Sequence, residues 1–184
     1  MKYCSFVFLL TFFTSTFSFG QDLENGRPAD FPIPSNIDNF LFFIQRNQNE
    51  NTIVYVARLD KDGNFQKSKP AEVYWLRYAS ENGKRRELGW LERTFAYGFS
   101  SKKDKGGNGY WIELTAYDGR KIHLEMDAQH KPIATITCNG RYSKLDYIWV
   151  FVDEERVWPH VLHVDIHATD METGEELMER IENK

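Results

Sequence analysis

Cysteine is scarce: the 184 residues contain two. Cys4 lies in an N-terminal stretch that reads as a leader, so a mature chain keeps Cys138 alone. That excludes an intramolecular disulfide and leaves stability to the apolar core. Cys138 shares strand parity with Ala134 and Ile136 and reads as a small buried apolar residue. Long hydrophobic runs are also missing. The main one, Phe6 to Phe13, falls well short of the about 20 residues that span a bilayer. Nor is there a large excess of one charge: the formal net charge is −4, which argues against a general nucleic-acid binder. The G-x-S-x-G and H-E-x-x-H signatures of hydrolases are absent, and no local Cys–His arrangement stands in for them. No catalytic residue and no cofactor is assigned, and the reading leans away from an enzyme.

What is present begins with the leader. Lys2 supplies a positive start, the apolar run follows, and Ser18 and Gly20 are small residues where a signal peptidase reads. This predicts a signal peptide over 1–20, cleavage before Gln21, and a secreted or periplasmic protein without a transmembrane segment in its mature chain. No cysteine follows the cleavage point, so lipidation there is not expected. Two basic clusters, "GKRRE" at 83–87 and "SKKDK" at 101–105, sit beside turn residues and read as solvated loops.

Residues 21–39 contain "GRPADFPIPSN", whose closely spaced prolines disfavour helix and central strand pairing. They predict an extended lead-in, with Phe31 and Ile33 as docking residues. Residues 40–184 read as one β-rich domain. Eight segments rich in β-branched and aromatic residues lie at 41–46, 52–58, 72–78, 110–117, 121–127, 133–138, 145–152 and 161–168. Asp118-Gly119 and Asn139-Gly140 predict tight hairpins, and Asp62-Gly63 and Asn82-Gly83 further turns. Short connections imply antiparallel neighbours. Leu88, Leu91 and Phe95 recur at helical spacing and predict one helix within 86–99 lying on the sheet; "EELMERI" at 175–181 suggests a last helical turn. The expected fold is mainly β: an antiparallel sheet of about eight strands closed as a barrel or sandwich, with one short inserted helix.

The segments "LFFIQRN", "NTIVY", "VYWLRY" and "FAYGF", in that order, resemble a family of secreted bacterial proteins known as domain of unknown function 4833. The likeness runs from about Ile37 to Ile181. It implies export and a single domain, and it carries over no functional residue.

Two constellations are candidates for chemistry. The first is His163, Asp165 and His167 in "PHVLHVDIHATD". Imidazole and carboxylate are zinc ligands, but Leu162, Val164, Ile166 and Ala168 alternate with them as in a strand. On a strand, His163 and His167 lie about 13 Å apart and cannot share an ion; neighbouring same-face residues lie about 6.6 Å apart. Asp165 with one histidine would need a ligand from elsewhere, such as His123 on its own polar face beside Glu125 and Asp127. The competing reading is a solvated polar face. The second constellation is arginine at the end of apolar faces: Phe42, Ile44 and Arg46; Val54, Val56 and Arg58; Val73, Trp75 and Arg77. An apolar wall ending in a guanidinium suits an amphipathic ligand with a carboxylate or phosphate. Arg46, Arg58, Trp75 and Arg77 are the candidate ligand-binding residues, against the plainer reading that arginines snorkel where strands meet solvent. The favoured function is a binding or interaction module of the cell envelope, for an amphipathic small molecule or an envelope protein. The alternatives are a metal-binding protein or metal-dependent hydrolase built on β residues 163–167, and a structural accessory protein with a protein partner.

Overall fold

A computed structural model describes residues 23–24, 27–107, 109–153 and 160–183. The leader lies outside the described residues. The strands are β1 (Leu23–Glu24), β2 (Arg27–Pro28), β3 (Phe40–Arg46), β4 (Asn49–Ala57), β5 (Ala71–Arg77), β6 (Lys84–Glu87), β7 (Phe99–Lys103), β8 (Tyr110–Leu114), β9 (Tyr117–Met126), β10 (Pro132–Cys138), β11 (Arg141–Asp153), β12 (His160–Asp170) and β13 (Glu176–Glu182). Two short helices, α1 (Tyr78–Glu81) and α2 (Trp90–Phe95), flank β6.

All but β1 and β2 belong to one sheet, in the order β6-β5-β4-β3-β11-β10-β9-β8-β7. β11 carries a third neighbour, β12, which pairs in turn with β13. The sheet therefore forks at β11. The first half of β11 pairs with β10 (Lys144 opposite Thr135) and its second half with β3 (Ile148 opposite Ile44). A register shift between Leu145 and Tyr147 marks the branch point. There the inward parity changes, so Leu145 and Ile148 both enter the core. The β3–β11 pair is parallel, whereas the remaining pairs among the described strands are antiparallel.

The two arms curl toward each other over one core. Phe42, Ile53, Tyr55, Val73 and Trp75 come from the β3–β5 arm. Ile112, Leu114, Ile122, Leu124 and Ile136 come from the β8–β10 arm. Contacts across the gap are aromatic: the Tyr55 and Phe99 rings lie 6.3 Å apart, Phe65 and Tyr110 6.0 Å, and Trp75 and Tyr97 5.2 Å. Burying such rings is an efficient way to fill a small β interior. The result is a curled half-barrel that does not close. The ends of its nine-strand path, β6 and β7, are consecutive in the chain, and the segment bearing α2 passes from one to the other; β13 is the free edge of the branch.

Several expectations are corrected. The sheet is open and has eleven strands rather than about eight. The eight expected segments each fall on a strand; β6, β7 and β13 are additional. The helix expected over 86–99 shrinks to Trp90–Phe95, because Arg86 and Glu87 extend β6 and Phe99 begins β7. Leu88 is buried, but Leu91 and Phe95 are 61 % and 67 % exposed and do not lie on the sheet. The last helical turn is strand β13, whose Leu177, Glu179 and Ile181 stand opposite Ala168, Ile166 and Val164. Backbone pairing to β12 overrides the helical preference of its Glu and Met residues. The Asn139-Gly140 turn is a two-residue hairpin with both φ values positive, 49° and 78°. Asp118-Gly119 is not a turn: the chain reverses at Thr115 and Ala116, and Gly119 lies inside β9.

The lead-in crosses the outer face of the β3–β11–β12 region. The Phe31 ring meets Trp149 edge-on at 5.6 Å, and Gln45 Nε2 donates to the Pro32 carbonyl at 2.8 Å. Ile33 remains 61 % exposed.

Candidate functional site

β12 positions His163, Asp165 and His167 on one face, opposite Phe151, Trp149 and Tyr147 of β11. That face is covered, not solvated. Asp165 has no exposed surface and His167 is 5 % exposed, because β13 and the lead-in lie against them. Arg180 of β13 stands opposite Asp165 and donates to both carboxylate oxygens, at 2.7 Å each. His163 stacks on Phe151 at 4.8 Å, with Nε2 3.8 Å from Asp165. His167 stacks on Tyr147 at 4.1 Å, and Tyr147 stacks in turn on Phe43 at 5.1 Å. Burial lowers the His167 pKa to about 4, against the attraction of Asp165. Its Nε2 has no hydrogen-bond partner. Among the described residues no three His, Cys, Asp or Glu side chains are grouped to hold a metal ion. His123 lies on the other arm, on β9, between Asp104 at 3.4 Å and Glu125 at 3.5 Å.

Two of the four candidate ligand-binding residues, Trp75 and Arg77, come together. Arg46 ends β3 opposite Asn49, and Trp75 stands opposite Ile53, with Arg77 two residues beyond. The Arg77 guanidinium lies 5.7 Å from the Trp75 ring centre, and Tyr97 packs on the ring's other flank. Arg46 Nε and Trp75 Nε1 are buried donors without partners. Arg58 follows the opposite end of nine-residue β4, about 30 Å away along the strand.

The groove at the fork is a different place. It has a volume of about 810 Å³ and lies where β3 and β10 diverge from β11 under the lead-in. Ile33, Ile37, Phe40, Phe43 and Ile133 give it apolar walls. Asp38, Asp127, Asp146, Lys131 and Lys144 supply charge at its margins, with Lys144 and Asp146 paired at 3.2 Å. Arg27 also lines it and is the unusual member. Arg27 is 3 % exposed, donates from Nη1 to the Phe31 carbonyl at 2.7 Å, and has its guanidinium carbon 5.9 Å from the Tyr147 ring centre. Among the described residues no carboxylate forms an ion pair with it. A guanidinium has five N–H donors, and a buried cation is costly without an anionic or hydrogen-bonding partner. Arg27 was not singled out from the sequence. The available signal was a lone cation amid the prolines of "GRPADFPIP".

A forked, mostly antiparallel half-barrel with an amphipathic groove places the chain among β-rich domains. The chain belongs to the family described as Domain of unknown function (DUF4833), whose model matches residues 42–180. No curated protein and no solved structure matches it significantly. Among the described residues no helix is long and apolar enough to cross a membrane.

Proposed function

We propose that the protein is an exported, non-enzymatic module of the cell envelope that binds an amphipathic anion in the groove at the fork. The observation that carries this reading is Arg27, almost fully buried at the groove without a carboxylate partner among the described residues. A carboxylate or phosphate on Arg27, with Lys131 nearby on the wall, satisfies the guanidinium, and an acyl or aromatic tail runs along Ile37, Phe40, Phe43 and Ile133. Export rests on the leader. The anionic head and apolar tail belong to the ligand class expected from the strand-end arginines, but the groove draws on other residues. A metal reading of β12 requires Asp165 to leave Arg180, and it is not adopted. A protein partner is the second reading, favoured by the exposed Trp90, Leu91 and Phe95 of α2, which are 73 %, 61 % and 67 % exposed.

The test is calorimetric titration of the mature protein with dodecyl phosphate, dodecanoate, dodecyl maltoside and dodecyl trimethylammonium. The anionic probes bind and the others do not. Arg27→Met keeps the volume and weakens anion binding at least about tenfold, as loss of a charged hydrogen bond requires. Equal binding of neutral and anionic probes, or an unaffected Arg27→Met variant, overturns the proposal.

A further inference from the structure

We propose that the outer face of β7–β9 is a second, independent binding site, for an acidic saccharide. Cross-strand register builds it. Trp111 on β8 stands between Lys102 on β7 and His123 on β9, and Glu113 stands between Ser100 and Lys121. Trp111 is 38 % exposed, although the inward residues of its strand, Tyr110 and Ile112, are buried. Its indole stacks on the His123 ring with centroids 4.4 Å apart.

The platform is held in place. His123 lies between two carboxylates, with Nε2 3.4 Å from Asp104 and Nδ1 3.5 Å from Glu125. Asp104 is fixed in turn by the Gly106 N–H at 3.1 Å. Gly109 closes over the imidazole so tightly that a Cβ there would sit 2.6 Å from His123 Nε2. Trp111 therefore has a rigid backing and presents its remaining surface to a shallow groove of about 440 Å³.

The rim decides the ligand. Lys102, Lys103, Lys105 and Lys121 outnumber the carboxylates of Asp104 and Glu113, in a chain whose net charge is −4. The groove thus carries local positive charge and selects an anion. The two carboxylates and the hydroxyls of Ser100 and Ser101 argue for a partner rich in hydroxyl groups. A flat indole beside such groups suits the C–H face of a pyranose, and the lysines take its carboxylate or sulfate.

Affinity electrophoresis of the mature protein in gels containing polygalacturonate, a sulfated glycan, a neutral β-glucan or single-stranded oligonucleotide tests this. Retardation is expected with the acidic polysaccharides and is weakened by about 0.5 M salt. The polygalacturonate and sulfated-glycan arms distinguish carboxylate from sulfate as the anionic group. Trp111→Ala and the double variant Lys102→Glu with Lys103→Glu each lose affinity at least about tenfold, with melting temperatures near that of the parent. Arg27→Met binds the polysaccharide normally, which separates this site from the groove at the fork. Equal retardation by neutral glucan, stronger retardation by oligonucleotide, no retardation at all, or an unaffected folded Trp111→Ala variant overturns the proposal.

Discussion

Replacing His167 by Phe should alter how the protein responds to acid. In the fold the imidazole is buried against Tyr147, its Nε2 lacks a partner, and desolvation lowers its pKa from 6.5 to about 4. The groups acting on it are Asp165 and Asp146, which favour the charged form, and Arg27 and Arg180, which oppose it. The unfolded chain takes up a proton near pH 6.5, whereas the folded chain does so only near pH 4. Stability from this residue is therefore intact above pH 6.5 and is lost progressively as the pH falls toward 4. At 1.36 kcal/mol per pKa unit the full loss is about 3 kcal/mol, with about 2 kcal/mol gone by pH 5. Phe keeps an aromatic ring beside Tyr147 and removes the titration. Urea unfolding of both proteins at pH 7, 6, 5 and 4.5 measures the effect. The parent loses stability more steeply than His167→Phe, and the gap between them at pH 5 is about 2 kcal/mol larger than at pH 7. Parallel pH profiles would refute the reasoning, because they would mean that His167 takes up its proton as readily in the fold as outside it.

Two further outcomes follow from buried groups and tight turns. Cys138 is fully buried, and burial raises its thiol pKa, so it resists alkylation at pH 8 in the native protein and reacts once urea unfolds the chain. Gly98 has no room for a side chain: a Cβ would lie 1.9 Å from the Arg93 carbonyl oxygen. Gly98→Ala therefore destabilises by about 2 kcal/mol or more, seen as a lower urea midpoint with an unchanged slope.

The central strands were legible because local chemistry and tertiary placement agree. In β4, Ile53 and Tyr55 face the core while Val54 and Val56 face the second apolar cluster, so the apolar signal is continuous. The edges were not legible. β6 reads KRRE and β7 reads FSSKK, and nothing in such sequences marks a strand until a neighbour offers its backbone. The opening of the barrel escaped notice for the same reason. The polar alternation of β12 was correctly strand-like, but its surroundings depended on contacts from distant segments. Arg180 and the lead-in turn an apparently wet face into a buried one, and only their positions in space reveal it. Trp75 and Arg77 share a face and touch, while Arg58 follows the far end of β4, because parity gives the face and not the end of the strand.

The fork in β11 also has a kinetic meaning. Asn47 at the end of β3 exchanges hydrogen bonds with Val152, 105 residues later, and β3 pairs with β11 in parallel. Closing a loop of that length costs about 4 kcal/mol of chain entropy before its contacts repay it. The first arm therefore acquires its inner neighbour only after nearly the whole chain has emerged. High contact order of this kind makes folding slow. The inner edge of β3 therefore stays open, and the first arm pliable, until the strand that joins both arms arrives.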